Sequence, residues 1–240
     1  MVEVWDVDLT AATLSDAACR DLLSPEESSR ADRFHFERDR TRFLRRRAAR
    51  RLWLSEKLGL PESEIRFAEN SHGKPCVVGA PAEFQFNTSA SGDRALLAAV
   101  TSGVVGVDLE QWRPLEPDLE AMISRLAPGE RRTLLALSPA ERHRRFFECW
   151  ARKEALVKAA GLGLSLPLDD FEVPLSDPIP VGGGEARWPG DPVPGRRWRV
   201  TPMALGEGWS AAVVSDRENP VRVRRFAWQG AESLRSESRL

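Results

Sequence analysis

Four side chains carry the chemistry open to this sequence. Asp108 and Glu110 stand two apart in Gly106-Val107-Asp108-Leu109-Glu110, and Glu154 and Lys158 stand four apart in Trp150-Ala151-Arg152-Lys153-Glu154-Ala155-Leu156-Val157-Lys158. On an extended strand residues i and i+2 share a face, which puts the first two carboxylates roughly 6–7 Å apart. At that separation they repel by about 2–3 kcal/mol at an effective dielectric near 20. The flanking Val104, Val105, Val107 and Leu109 mark the strand as largely buried, so the acids need a cation, either an arginine or a metal. On a helix i and i+4 share a face, so Trp150, Glu154 and Lys158 form one stripe. Taken alone, Glu154 and Lys158 read as a surface ion pair. Phe146, Phe147, Trp150, Ala155, Leu156 and Val157 make the segment too apolar for a solvated helix. With the upstream acids, Glu154 completes an oxygen-only set. Three carboxylates without a nearby His or Cys suit a hard ion, Mg²⁺ first, which keeps water and bridges to substrate phosphates. Lys158 is then placed to stabilise charge on a phosphoryl oxygen. The chemistry indicated is phosphoryl transfer.

Composition narrows the setting. The chain has 240 residues, 42% apolar and 30% charged, with a net charge of −1. That is the balance of a globular protein with a core of its own and no global pull toward nucleic acid or anionic membrane. No apolar run approaches the ~20 residues of a membrane span. The start lacks the basic and apolar regions of a signal peptide. Cys19, Cys76 and Cys149 are odd in number and widely spaced, so neither a disulfide framework nor a zinc site is expected and a cytoplasmic location is. Only Lys57, Lys74, Lys153 and Lys158 among the 35 basic residues are lysines. A lysine kept in an arginine background hints that a compact, titratable charge is wanted.

The elements that would position these groups follow from pattern. Residues 2–8 alternate as a half-buried strand. Ser15-Asp16 caps a short helix. Ser24-Pro25-Glu26-Glu27 starts another that runs toward Phe34-His35-Phe36, and a long helix spans about 37–58, ended by Gly59. Ten arginines lie between Arg30 and Arg51; most read as a solvated face, but Arg38, Arg42, Arg45 and Arg46 can share one side and suit a phosphate-rich ligand or an acidic partner. A short strand at 64–68, a turn at Asn70–Pro75, a small-residue loop at Asn87–Asp93 and a hairpin of 94–100 with 104–110 come next. Helices follow at about 118–126, from 128, and from 138 to a Gly161 cap. Residues 175–195 read as a loop, with strands near 196–203, 208–215 and 221–227. The layout suggests an α+β fold of two similar lobes, 1–103 and 104–227, with a polar tail at 228–240 and a ligand cleft between the lobes.

These motifs together resemble the 4′-phosphopantetheinyl transferases of the larger, surfactin-synthetase-activating type. The resemblance runs from Leu23-Ser24-Pro25-Glu26 to about residue 215. It is densest in Gly73-Lys74-Pro75, Asn87-Thr88-Ser89, Gly106–Glu110, Trp150–Ala155 with Lys158, and Gly161-Leu162-Gly163-Leu164-Ser165-Leu166-Pro167. It implies a pseudo-twofold pair of α+β lobes with coenzyme A between them, and Mg²⁺ on Asp108, Glu110 and Glu154. It further implies transfer of 4′-phosphopantetheine to a serine of an apo acyl- or peptidyl-carrier protein, releasing 3′,5′-adenosine bisphosphate. Glu154 would be the general base and Lys158 would neutralise charge on the pyrophosphate. Arg42, Lys74 and Arg30 resemble positions at the 3′-phosphate and adenine end, and Ser89 resembles a phosphate contact. A monomer is implied as well.

One departure is Ala90, where the family usually has histidine after the serine. Two other readings use the same residues: a Mg²⁺-dependent nuclease, and a non-catalytic binder of coenzyme A or carrier protein. Nucleases built on acid-x-lysine motifs put the acid and lysine two apart on a strand, whereas Glu154 and Lys158 are four apart on a helix. Trp112, Arg113, Met122 and Ile123 are candidates by position for a carrier-protein face.

Overall fold

The computed structural model describes residues 1–115, 117–175, 183–217 and 220–228, without the side chain of Leu164. The first half contains β1 (Val2–Asp8), α1 (Asp16–Asp21), α2 (Pro25–Ala31), α3 (Glu37–Leu58), β2 (Phe67–Glu69), β3 (Pro75–Val77), β4 (Gln85–Ser91) and β5 (Arg94–Val100). The second contains β6 (Val105–Gln111), α4 (Leu119–Ile123), α5 (Pro128–Leu135), α6 (Pro139–Ala160), β7 (Gly184–Ala186), β8 (Trp198–Met203), β9 (Trp209–Ser215) and β10 (Val221–Arg225). Two four-stranded sheets, ordered β10-β1-β5-β4 and β6-β9-β8-β7, and a β2-β3 ribbon make the architecture α+β.

Alternation along β5 shows how the layers form. Ala95, Leu97 and Ala99 pack with Phe43, Leu44 and Ala48 of α3, while Leu96, Ala98 and Val100 pack with Val105, Val107 and Leu109 of β6. The first sheet therefore lies between α3 and the second sheet, and such a strand must be apolar on both faces. The second sheet carries α6 on its other face, where Phe146, Leu156 and Ala159 meet Val200, Ala212 and Val214. Burying each large apolar side chain there contributes about 1.5–3 kcal/mol. α3 and α6 each run 22 residues and end on a left-handed glycine, Gly59 at φ 65° and Gly161 at φ 71°. Ser15 caps α1, and Ser24 with Glu27 forms the capping box of α2.

Several expected elements differ. α2 ends at Ala31, short of Phe36. The strand expected at 64–68 is a 3-10 turn at Glu62–Glu64 followed by β2. Residues 87–91 form β4, paired to β5 through the Gly92 turn, rather than a loop. β5 and β6 are not a hairpin: β5 pairs with β1 and β4, β6 with β9, and Thr101-Ser102-Gly103 carries the chain between sheets. β10 pairs in parallel with β1 and so joins the first sheet, although residues 104–227 read as one lobe. Trp228 is not tail: it is 6% exposed, its Nε1 donates to the Asp8 carbonyl at 2.8 Å, and it packs on Phe226. The rest of the expected polar tail, 229–240, and residues 176–182 of the expected loop lie outside the described residues. Among the described residues no helix is long and apolar enough to cross a membrane.

Candidate active site

The site begins with a glycine. On β6 the even-numbered residues face α6, and a Cβ on Gly106 would lie 2.1 Å from the Ala155 carbonyl oxygen and 2.3 Å from the Ala159 nitrogen. Only glycine lets helix and strand backbones meet there. The contact seats the stretch of α6 that bears Glu154 and Lys158 against β6, whose next same-face residues are Asp108 and Glu110.

β4, the edge strand of the first sheet, supplies the other wall. Asn87 Oδ1 accepts from the Val107 N–H at 2.9 Å, and Ser89 Oγ donates to Asp108 Oδ1 at 2.7 Å. Ser91 Oγ donates to Glu110 Oε2 at 3.2 Å and accepts from the Gln111 N–H at 3.1 Å. Small polar side chains at every second position thus join two sheet edges that share no backbone ladder. Lys158 Nζ completes the group, 2.5 Å from Asp108 Oδ1 and 3.0 Å from Ser89 Oγ.

The electrostatics are unbalanced. Burial raises the Asp108 carboxyl despite Lys158 and Ser89. Burial, then Asp108, raises Glu110 and Glu154 alike. Three carboxylates face one ammonium, and Asp108 Oδ2 is buried without a hydrogen-bond partner. Among the described residues the acids do not close into a three-ligand cluster. Their oxygen-only chemistry, the charge deficit and the orphaned Asp108 oxygen nonetheless fit a hard divalent cation.

A cavity of about 1020 Å³ opens beside this group, lined by Ser89, Ala90, Trp150, Glu154 and Lys158 at one part and by Arg46, Arg47, Arg50 and Lys74 at another. Its size is at the upper end for small-molecule sites. Lys74 Nζ donates to the Val105 and Ala159 carbonyls at 3.2 and 3.1 Å, and Asn70 Nδ2 to the Gly161 carbonyl at 3.0 Å. The 70–75 turn therefore caps the end of α6 from the first half of the chain. Burial lowers the Lys74 amine to about 8, a push that the charge of Asp216 opposes.

The expected arginine face divides. Arg42 Nε pairs with Asp93 at 2.6 Å and Arg42 is not among the cavity-lining residues. Arg45 bonds the Leu9 carbonyl at 2.7 Å and pairs with Asp16, and Arg38 pairs with Asp39. Arg30 is exposed, its guanidinium 5.8 Å from the Phe43 ring centroid, and is likewise outside the lining. Arg46 does line the cavity, with Arg47 and Arg50, which the sequence did not single out. Of the surface candidates, Arg113 is exposed, whereas Ile123 is buried in the α6 core and Trp112 donates to Ser210 Oγ at 2.9 Å. Trp150, besides packing on Phe146, lines the cavity.

One supporting residue had no clear signal. Lys153 is fully buried, 2.8 Å from Glu130 Oε2 and donating to the Leu168 and Phe171 carbonyls at 2.7 and 2.6 Å. Glu130 also accepts from the Ala127 and Val173 N–H groups. The pair fixes α6 to α5 and to the segment that borders the cavity at 166–169. A lysine on the apolar stripe of a helix was the available hint.

Comparison with known proteins identifies the family. The family model described as the 4′-phosphopantetheinyl transferase superfamily matches residues 104–212, and one described as 4′-phosphopantetheinyl transferase, N-terminal, matches residues 12–102. The chain is 36% identical over 153 residues to 4′-phosphopantetheinyl transferase Sfp of Bacillus subtilis (strain 168), covering 64% of this chain and 66% of that protein. It is 35% identical over 185 residues to 4′-phosphopantetheinyl transferase HetI of a Nostoc species, covering 75% and 76% respectively.

Proposed function

The chain belongs to the 4′-phosphopantetheinyl transferase superfamily, and on that premise we propose that it moves the 4′-phosphopantetheine group of coenzyme A onto a serine hydroxyl of an apo acyl- or peptidyl-carrier protein. The observation that carries the assignment of the site is the convergence of Asp108, Glu110, Glu154, Lys158 and Ser89 beside a cavity with an arginine wall.

Mg²⁺ would be held by Asp108, Glu110 and Glu154, where it supplies neutralising charge for the pyrophosphate. Glu154 takes the proton of the carrier serine. Burial and Asp108 raise its carboxyl toward neutrality, the direction that suits a general base. The serine oxygen bonds to the β-phosphorus as the bond from that phosphorus to the bridging oxygen breaks, and the electron pair leaves with 3′,5′-adenosine bisphosphate. Lys158, held by Ser89 and Asp108, donates to phosphate oxygens as their charge grows. Lys74 and the arginine wall hold the nucleotide end.

Intact mass of an apo carrier protein incubated with the enzyme, coenzyme A and Mg²⁺ tests this. Gain of one phosphopantetheinyl unit is expected, lost with Glu154→Ala or with chelator. Full conversion by the Glu154→Ala protein would remove Glu154 from its role, and no conversion by the wild-type protein would favour a non-catalytic binder.

A further inference from the structure

We propose that Asn70 is a positioning residue for the transfer reaction: its amide latches the first half of the chain onto the C-terminal end of α6 and so holds Lys158 and Glu154 against β6. The inference rests on the function proposed above and adds to it a residue that does not line the cavity. Asn70 opens the turn between β2 and β3, and its side chain bonds in two directions. Oδ1 accepts from the His72 and Lys74 N–H groups at 2.9 and 2.8 Å, which orders the turn. Nδ2 points out of the turn and donates to the Gly161 carbonyl at 3.0 Å, 91 positions along the chain.

Gly161 is the left-handed C-cap of α6, at the end of a helix where carbonyls run out of N–H partners. The same turn delivers Lys74, whose Nζ donates to the Ala159 carbonyl in the last turn of α6 and to the Val105 carbonyl at the start of β6. Two side chains of one turn thus hold two carbonyls at the end of α6 and one on β6. The fit is close. A Cβ on Gly161 would lie 3.2 Å from Lys74 Cδ and 3.4 Å from Asn70 Nδ2, and one on Gly163 would lie 3.0 Å from the His72 carbonyl oxygen. Both glycines of Gly161-Leu162-Gly163 therefore admit the turn, besides taking up a positive φ. Lys158 stands in the last turn of α6 and Glu154 one turn before it. A shift at Gly161 consequently reaches Lys158 Nζ, which sits 2.5 Å from Asp108 Oδ1 and 3.0 Å from Ser89 Oγ. The contact at Gly106 limits how closely α6 can approach β6, and the latch keeps the end of the helix from lifting away.

Two variants of the full-length protein separate a latch from an ordinary turn residue. Asn70→Asp keeps an oxygen for the His72 and Lys74 N–H groups but sets a carboxylate oxygen against the Gly161 carbonyl, at the negative end of a helix. Asn70→Ala removes both sets of bonds. The latch makes Asn70→Asp the slower enzyme, with kcat for modification of an apo carrier protein down by about tenfold, and places Asn70→Ala between it and the wild type. KM for coenzyme A should stay near the wild-type value in both. Hydrogen exchange read by mass spectrometry should be faster over residues 157–163 in Asn70→Asp and unchanged in α3, which also shows that the variant is folded. A near-normal Asn70→Asp beside a slow Asn70→Ala would make Asn70 a turn former only and overturn the proposal. A raised KM for coenzyme A with kcat unchanged, or unaltered exchange at the end of α6, would overturn it too. Wild-type protein without transfer activity would overturn the functional reading and with it the part of Asn70 in catalysis; faster exchange in Asn70→Asp would then still establish the latch itself.

Discussion

Gly106→Ala adds one methyl group and should disable the enzyme through geometry alone. The new Cβ would fall 2.1 Å from the Ala155 carbonyl oxygen and 2.3 Å from the Ala159 nitrogen. Ordinary heavy-atom contact needs about 3.5 Å, so α6 must retreat from β6 by more than about 1 Å or rotate. Both neighbours are helix backbone, with no flexible side chain to yield. Glu154 and Lys158 ride on that stretch of α6, and Lys158 sits 2.5 Å from Asp108. A misplacement of ~1 Å at reacting groups costs up to about 100-fold in rate. Overpacking costs about 1–3 kcal/mol, or roughly 2–12 °C in Tm for a chain of this size. Initial rates of carrier-protein modification, read by intact mass, should show kcat down by about 100-fold. KM for coenzyme A should move less, because the arginine wall stands on α3 in the other core. A Gly106→Ala protein with near-normal kcat and Tm would refute the claim that backbone contact between β6 and α6 sets the acid and amine.

Three further outcomes are expected. Lys153→Met should lower stability by about 3–5 kcal/mol, because it strands Glu130 in a dry site; equilibrium urea unfolding measures this, and a change under 1 kcal/mol would count against the lock. Ala90→His should tighten coenzyme A binding modestly by calorimetry, since an imidazole there would enter the cavity beside Ser89; unchanged or weaker binding contradicts the account of that strand. With chelator present, Tm should rise as the pH is lowered from neutrality: carboxylates raised in the folded state, as at Asp108, Glu110 and Glu154, take up protons before their unfolded counterparts, so stability is lost as pH climbs through their folded values. Excess Mg²⁺ should raise Tm most near neutrality and flatten that slope, and a Tm indifferent to both would argue against a shared acid site.

What the sequence disclosed depended on whether a signal was local. Helix ends with capping chemistry were legible: Ser15, Ser24 with Glu27, Gly59 and Gly161 all sit where pattern put them. The strands with clear apolar alternation or apolar runs, β1, β5, β6, β8 and β9, and the i, i+2 and i, i+4 spacings of the acids and Lys158 were legible too, because periodicity fixes faces. Pairing was not. Asn87-Thr88-Ser89-Ala90-Ser91 has loop composition, yet it is a strand whose small polar side chains bond across to β6. Val104–Glu110 follows β5 after a glycine turn as a hairpin would, but its partner is β9, a hundred residues on. The arginines of α3 could not be sorted from one another. Which of them reach the cavity depends on Asp93 taking Arg42, Asp16 taking Arg45 and Glu27 taking Arg51, and all of those acids lie elsewhere in the chain.

The lysines close the argument about charge. Lys153 inserts into a fully buried pocket formed by one carboxylate and two carbonyls. Lys74 joins the carbonyls of Val105 and Ala159 on different elements. Lys158 fits between Ser89 and Asp108. Each ammonium is a compact point donor reaching two or three acceptors, a task to which the wide planar guanidinium is less suited. The arginines of the cavity differ: Arg46, Arg47 and Arg50 lie against aromatic rings in the cavity wall. In a chain with only four lysines, three therefore sit where the scaffold or the chemistry needs a compact cation.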